Sequence, residues 1–108
     1  MTQPPSTDHF AELDQIIHVP ARLRLMTQLY VVESADATLL VNTTGLTWGN
    51  LATHMRKLEE SGYVTIKKGY QGRKPHTVIA LSAKGRQAFD TYRTTMQAAL
   101  DQLPDSPS

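Results

Sequence analysis

The chain has 108 residues, 40% apolar and 19% charged, with a formal net charge of +1, the profile of one globular domain with a single modest core. No apolar run approaches the ~20 residues that span a bilayer, and the opening MTQPPSTDHF lacks the basic and apolar regions of a secretory signal. The absence of cysteine excludes a disulfide framework, thiolate metal sites and cysteine redox chemistry, and it suits a reducing, cytoplasmic setting.

Residues 1–7 and 104–108, rich in Pro, Ser and Thr, read as disordered tails around one domain over 8–103. A short helix is expected from Asp8, its cap, with Phe10, Leu13, Ile16 and Ile17 on one side. Pro20 suits a first helical position, because its missing N–H would be unpaired there anyway. The helix it opens, about Pro20–Glu33, carries Leu23, Met26, Leu29, Tyr30 and Val32 at helical spacing. Ser34–Asp36 reads as a break, with Asp36 capping a short helix through Leu39, Leu40 and Thr43 that Gly45 ends.

Only Gly45-Leu46-Thr47 separates that helix from the next, Thr47–Gly62, in which Thr47 is the cap and Gly62 the stop. Two helices joined by a turn of three or four residues containing Gly form a helix-turn-helix. At about 100° per residue, Trp48, Leu51, Ala52, Met55 and Leu58 share one face of the second helix. Thr47, Asn50, Thr53, His54 and Lys57 share the other, with no acid among them, where an ordinary surface helix mixes both signs. Trp48 is expected in the core, against the helix at Leu39–Thr43. Gly49 is costly in a first helical turn, and close approach of a phosphate or of the neighbouring helix would account for it.

After Gly62 the period changes to two. Tyr63–Lys68, with Val64 and Ile66 inward, and Thr77–Leu81, with Ile79 and Leu81 inward, read as a hairpin joined by the Gly-rich stretch 69–75. Pro75 sits at the loop edge, where it costs no ladder bond. Ser82 caps a final helix, about Ala83–Leu103, in which Gly85 is a mild cost. Its Phe89, Tyr92, Met96, Ala99 and Leu103 are spaced 3, 4, 3, 4, as at a helix–helix seam. A core of this size does not readily absorb that stripe as well as Phe10–Ile17. Six of the eleven Lys and Arg residues (Arg56, Lys57, Lys67, Lys68, Arg73, Lys74) lie between His54 and His76, opposed only by Glu59 and Glu60. A basic stripe on a near-neutral chain points to an oriented anionic partner.

Helix, short helix, turn, helix, hairpin, helix is the order of a winged helix-turn-helix, mainly α with a small β-hairpin wing. The run Gly45–Val64 resembles the helix-to-wing signature of MarR/ArsR-like regulators. Leu13–Arg24 and Leu81-Ser82-Ala83-Lys84-Gly85-Arg86 are similar to the opening and the strand-to-helix turn of a small winged-helix DNA-binding subgroup. The resemblance implies that Thr47, Asn50, Thr53, His54 and Lys57 face the major groove of double-stranded DNA. The chemistry agrees: Asn pairs bidentately with adenine, Thr methyls pack on thymine, and His54 can donate to a base edge or a phosphate. Lys67 and Lys68 at the base of the wing, and Arg73 and Lys74 near its tip, would supply phosphate and minor-groove contacts. The resemblance also implies homodimers built from the terminal helices. Phe10, Leu13, Ile17, Phe89, Tyr92, Met96 and Leu103 are then the interface, two recognition helices lie ~34 Å apart and the operator is palindromic.

A sequence-specific, homodimeric regulator acting as a repressor is therefore expected, and the alternative is a winged-helix protein-binding module without DNA contact. No nucleophile elbow, phosphate loop, His-Glu-x-x-His motif or acid cluster suggests an enzyme. His9, His18, His54 and His76 match no metal-ligand spacing. No metal, cofactor or membrane partner is expected, and no residue set marks an effector pocket.

Overall fold

The computed structural model describes residues 9–104. The tail expected over 1–7, most of that over 104–108, and the Asp8 cap lie outside the described residues. The elements are α1 (Pro20–Val32), β1 (Ser34–Asp36), α2 (Ala37–Thr44), α3 (Trp48–Glu60), β2 (Val64–Gln71), β3 (Lys74–Leu81) and α4 (Ala83–Asp101). Four helices surround a three-stranded antiparallel sheet in the order β1-β3-β2.

Side-chain caps set the helix starts as expected. Asp36 Oδ1 accepts from Leu39 N at 2.7 Å, Thr47 Oγ1 from Asn50 N at 3.1 Å, and Ser82 Oγ from Gly85 N at 2.9 Å. Each such cap is worth roughly 1 kcal/mol. Gly45, at φ 72°, ends α2 in the left-handed region. The side chains of Ile17, Leu25, Met26, Leu29, Leu40, Leu58 and Ile79 are fully enclosed, each contributing about 1.5–3 kcal/mol over leaving it exposed. On α1 the buried row uses Leu25, while Val32, expected inward, is half exposed.

Three sequence expectations are corrected. The helix expected from residue 8 is only a 3₁₀ turn, His9–Glu12, because Asp14 turns the chain by accepting from Ile16 N at 2.8 Å and Ile17 N at 3.4 Å. The break at Ser34–Asp36 is a strand, paired Ser34↔Ala80, Ala35↔Ile79 and Asp36↔Val78. The hairpin loop is two residues, Gly72-Arg73, since pairing continues out to Gln71↔Lys74. Gly72, at φ 65°, supplies the positive φ at the first turn position, as a type II′ hairpin turn requires. Pro75 therefore lies inside β3, opposite Tyr70. That pair sits next to the hydrogen-bonded pair closing the turn, so the missing N–H points away from β2 and costs no ladder bond.

Tyr63 locks the root of the wing. Its hydroxyl donates to Asp14 Oδ2 and its carbonyl accepts from Ser82 N at 3.0 Å. Burial, then the bond and charge of Asp14, push the phenol up to about 12. A raised folded pKa favours folding until the unfolded phenol ionises near pH 10 and loses that advantage as pH rises toward 12. The stability gap between wild type and Tyr63→Phe should thus be full below pH 10 and close by pH 12 in thermal unfolding. A constant gap would refute the linkage.

Candidate nucleic-acid interface

The turn between α2 and α3 is held from below. Buried Thr44 donates to Leu40 O at 2.5 Å and accepts from Leu46 N at 3.3 Å, while Arg24 of α1 donates to Thr44 O at 3.0 Å. This fixes the angle at which α3 leaves the body. With Leu51, Met55 and Leu58 buried, its opposite row must face outward. Thr47, Asn50, Thr53 and Lys57 are exposed and His54 is half-buried.

The row differs in detail from its sequence reading. Thr53 Oγ1 donates to Gly49 O at 3.0 Å, so its hydroxyl is spent on the helix and its methyl is left for contact. The Asn50 side chain has no protein hydrogen bond among the described residues and keeps its amide donor and acceptor. His54 Nδ1 lies 3.4 Å from Arg22 Nη1. Burial, then the Arg22 charge, lower its pKa from the usual histidine value. Trp48, expected in the core, is 56% exposed. A Cβ on Gly49 would meet nothing within 4 Å, so approach of a neighbouring helix does not explain that glycine.

Register sorts the wing cations. Cross-strand partners share a face, so Lys68 (opposite Thr77) lies on the same face as the Ile66–Ile79 pair, and Lys67 and Lys74 lie on the other. Arg73 occupies the tip. A cleft of about 480 Å³ separates α3 from the hairpin, with Trp48, Ala52, Arg56 and the carboxylate Glu59 on one wall and Lys68 and Thr77 on the other. Arg56, read in the sequence as part of the basic stripe but not as a site residue, is a further contact candidate. Among the described residues no lysine or arginine lies within ion-pair distance of a carboxylate, the close acid pairings being His9–Glu12 and His76–Asp36. The remaining histidine, His18, bonds Tyr92 at 2.7 Å. The four histidines thus sit apart, and among the described residues no group of three or more His, Asp or Glu side chains could hold a metal ion.

The expected dimer residues divide. Leu13, Ile17, Phe89 and Tyr92 are buried in this chain's own core, and Met96 packs against that core. The 3₁₀ turn lies on α4, so the chain does absorb its terminal stripe. Phe10 and Leu103, together with Leu100, are left exposed at that end.

The sequence model of a winged helix DNA-binding domain matches residues 21–100. The chain belongs to that family. An uncharacterized protein of Methanocaldococcus jannaschii is 36% identical over 78 residues, covering 72% of this chain and 85% of the relative. Among solved structures, the transcriptional regulator homologue protein from Pyrococcus horikoshii OT3 superposes with a TM-score of 0.81 at 28% identity, covering 86% of this chain and 94% of the other. The regulator AbfR, solved bound to DNA, shares the fold with a TM-score of 0.64 at 18% identity, over 91% of this chain and 68% of its own. In the winged helix frame, α2 and α3 are the helix-turn-helix and β2–β3 the wing. The family is thus that of winged helix DNA-binding domains, and the fold is shared with a transcriptional regulator homologue. No described helix is long and apolar enough to cross a membrane.

Proposed function

We propose that the protein is a homodimeric, cytoplasmic repressor that reads a palindromic operator with α3 in the major groove and anchors itself through the wing. The outward row of α3 carries this reading. Thr47, Asn50, Thr53, His54 and Lys57 offer donors, acceptors, a methyl and a cation with no acid, beside lysines and arginines that form no ion pair among the described residues. Asn50, with its amide unspent, specifies adenine, while Thr53 contributes a methyl–thymine contact. Arg56 and Lys68 face each other across the cleft and grip the phosphate strand between the two grooves, and Arg73 enters the minor groove. Lys67 and Lys74, on the other face, act as longer-range cations. A protein-binding module would need an apolar outward row here, and the row is polar.

Selection of bound sequences from a random double-stranded pool at two salt concentrations tests the reading. Asn50→Ala should cost about 1–3 kcal/mol on the selected operator and relax preference at one base pair. Equal discrimination in the variant would reject the assignment of this face.

The exposed Phe10, Leu100 and Leu103 support a dimer contact at the end of α4. Truncation after Arg86 would also strip Phe89 and Tyr92 from the core, so Leu100→Glu with Leu103→Glu is the cleaner probe. The doubly substituted protein should sediment as a folded monomer, and an unchanged dimer would place the interface elsewhere.

A further inference from the structure

The pairing of Arg22 with His54 joins the N-terminal turn of α1 to the middle of the recognition row, and nothing in the fold requires it. Arg22 is anchored independently, since its Nε donates to Ile16 O at 2.5 Å. Its Nη1 then stands 3.4 Å from His54 Nδ1. A guanidinium has only donors and stays protonated, so Nδ1 must be the acceptor. A histidine accepting there is neutral and carries its proton on Nε2; a protonated ring would set N–H against N–H and cation against cation. The charge acting on the ring is Arg22 from α1, and it opposes a second positive charge. Nε2 has no protein partner among the described residues.

Resting on the DNA-reading role of α3, we infer that Arg22 is a positioning residue that presents His54 to the major groove as an uncharged, single Nε2–H donor. Such a donor selects an acceptor, guanine N7 or O6, adenine N7 or thymine O4, and rejects the cytosine amino edge. Held neutral, it adds no phosphate attraction that would bind all sequences alike. His54 then contributes discrimination, and the affinity of the face comes from cations elsewhere.

The test has a DNA-free half and a DNA half. In the free full-length protein, long-range ¹H–¹⁵N correlation should show Nε2 protonated and Nδ1 bare at pH 7. His54 should titrate below the usual histidine range, and Arg22→Met should move its titration upward. A cationic ring at pH 7, a proton on Nδ1, or a titration unmoved by R22M overturns the pairing whether or not DNA binds. On the selected operator, wild-type His54 should add less pH dependence between pH 8 and 6 than His54 does in R22M. R22M should gain affinity for all sequences toward pH 6, lose about tenfold in discrimination at the base pair under His54, and recover the wild-type profile as R22M/H54Q. A salt slope lower by about one in R22M, with an unchanged pH profile, would make Arg22 a phosphate contact and refute the positioning role. A neutral, Arg22-dependent His54 in a protein that binds no DNA sequence overturns the base-reading claim together with the proposed function and leaves the side-chain pair standing.

Discussion

Gly85→Ala is expected to destabilise the protein by about 3 kcal/mol, the upper end of the usual cost of overpacking. A Cβ at this position would fall inside contact distance of the Tyr63 carbonyl oxygen, 2.8 Å from its carbon and 2.9 Å from Leu81 Cδ1. The obstruction is backbone at the root of the wing, so no rotamer change relieves it. At roughly 4–8 °C per kcal/mol for a domain of this size, Tm should fall on the order of 15 °C. Gly49→Ala is the internal control. It lies in a helix and faces open space, so the same added methyl should stabilise by about 0.5–1 kcal/mol. Thermal unfolding of the two variants side by side checks the signs, and a loss below 1 kcal/mol for Gly85→Ala would mean that α4 slides away from Tyr63 without difficulty.

Simultaneous replacement of Arg56, Lys68 and Arg73 by Ala should produce the largest loss of DNA affinity. Three cations, Arg56 and Lys68 on phosphates and Arg73 in the minor groove, each displacing counterions at about 0.9, lower the salt slope by ~2.7, which at 0.15 M salt is on the order of 10²-fold. The share lost with Arg56 and Lys68 should be uniform across sequences, because phosphates carry no base identity. Lys67→Ala should change the slope by less than Lys68→Ala, since register puts the two on opposite faces of the hairpin. Binding titrations at four salt concentrations separate these outcomes. Equal effects of Lys67 and Lys68 would show that the cleft does not seat the phosphate strand.

What the sequence discloses here is local. Asp36, Thr47 and Ser82 cap their helices as read, Gly45 ends α2, and the switch of period after Gly62 marks the wing, because each depends on residues a few positions apart. What stays hidden depends on distant partners. Three residues of β1 are too few to show alternation, and their strand character comes from β3, over forty positions away. Gly85 reads as a defect until Tyr63 is placed against it. Trp48 reads as core by residue type and helical angle, yet it stands exposed on the wall of the cleft that faces the hairpin. The outward row of α3 is legible from its angles, whereas the Arg22–His54 pair, 32 positions apart, carries no pattern in the chain.

The uneven support of the hairpin has a mechanical consequence. At its inner end, β1 backs Val78–Ala80, and Tyr63 is tied to Asp14 and Ser82. From Lys68↔Thr77 outward the ribbon has two strands only, and two-stranded ribbons twist more freely than sheets. The wing is thus a cantilever, clamped at its root and compliant toward Arg73. On the proposed DNA-reading role, its tip would follow a minor groove of varying width while the recognition helix keeps its angle, and differences in DNA shape would be absorbed in the outer four residue pairs.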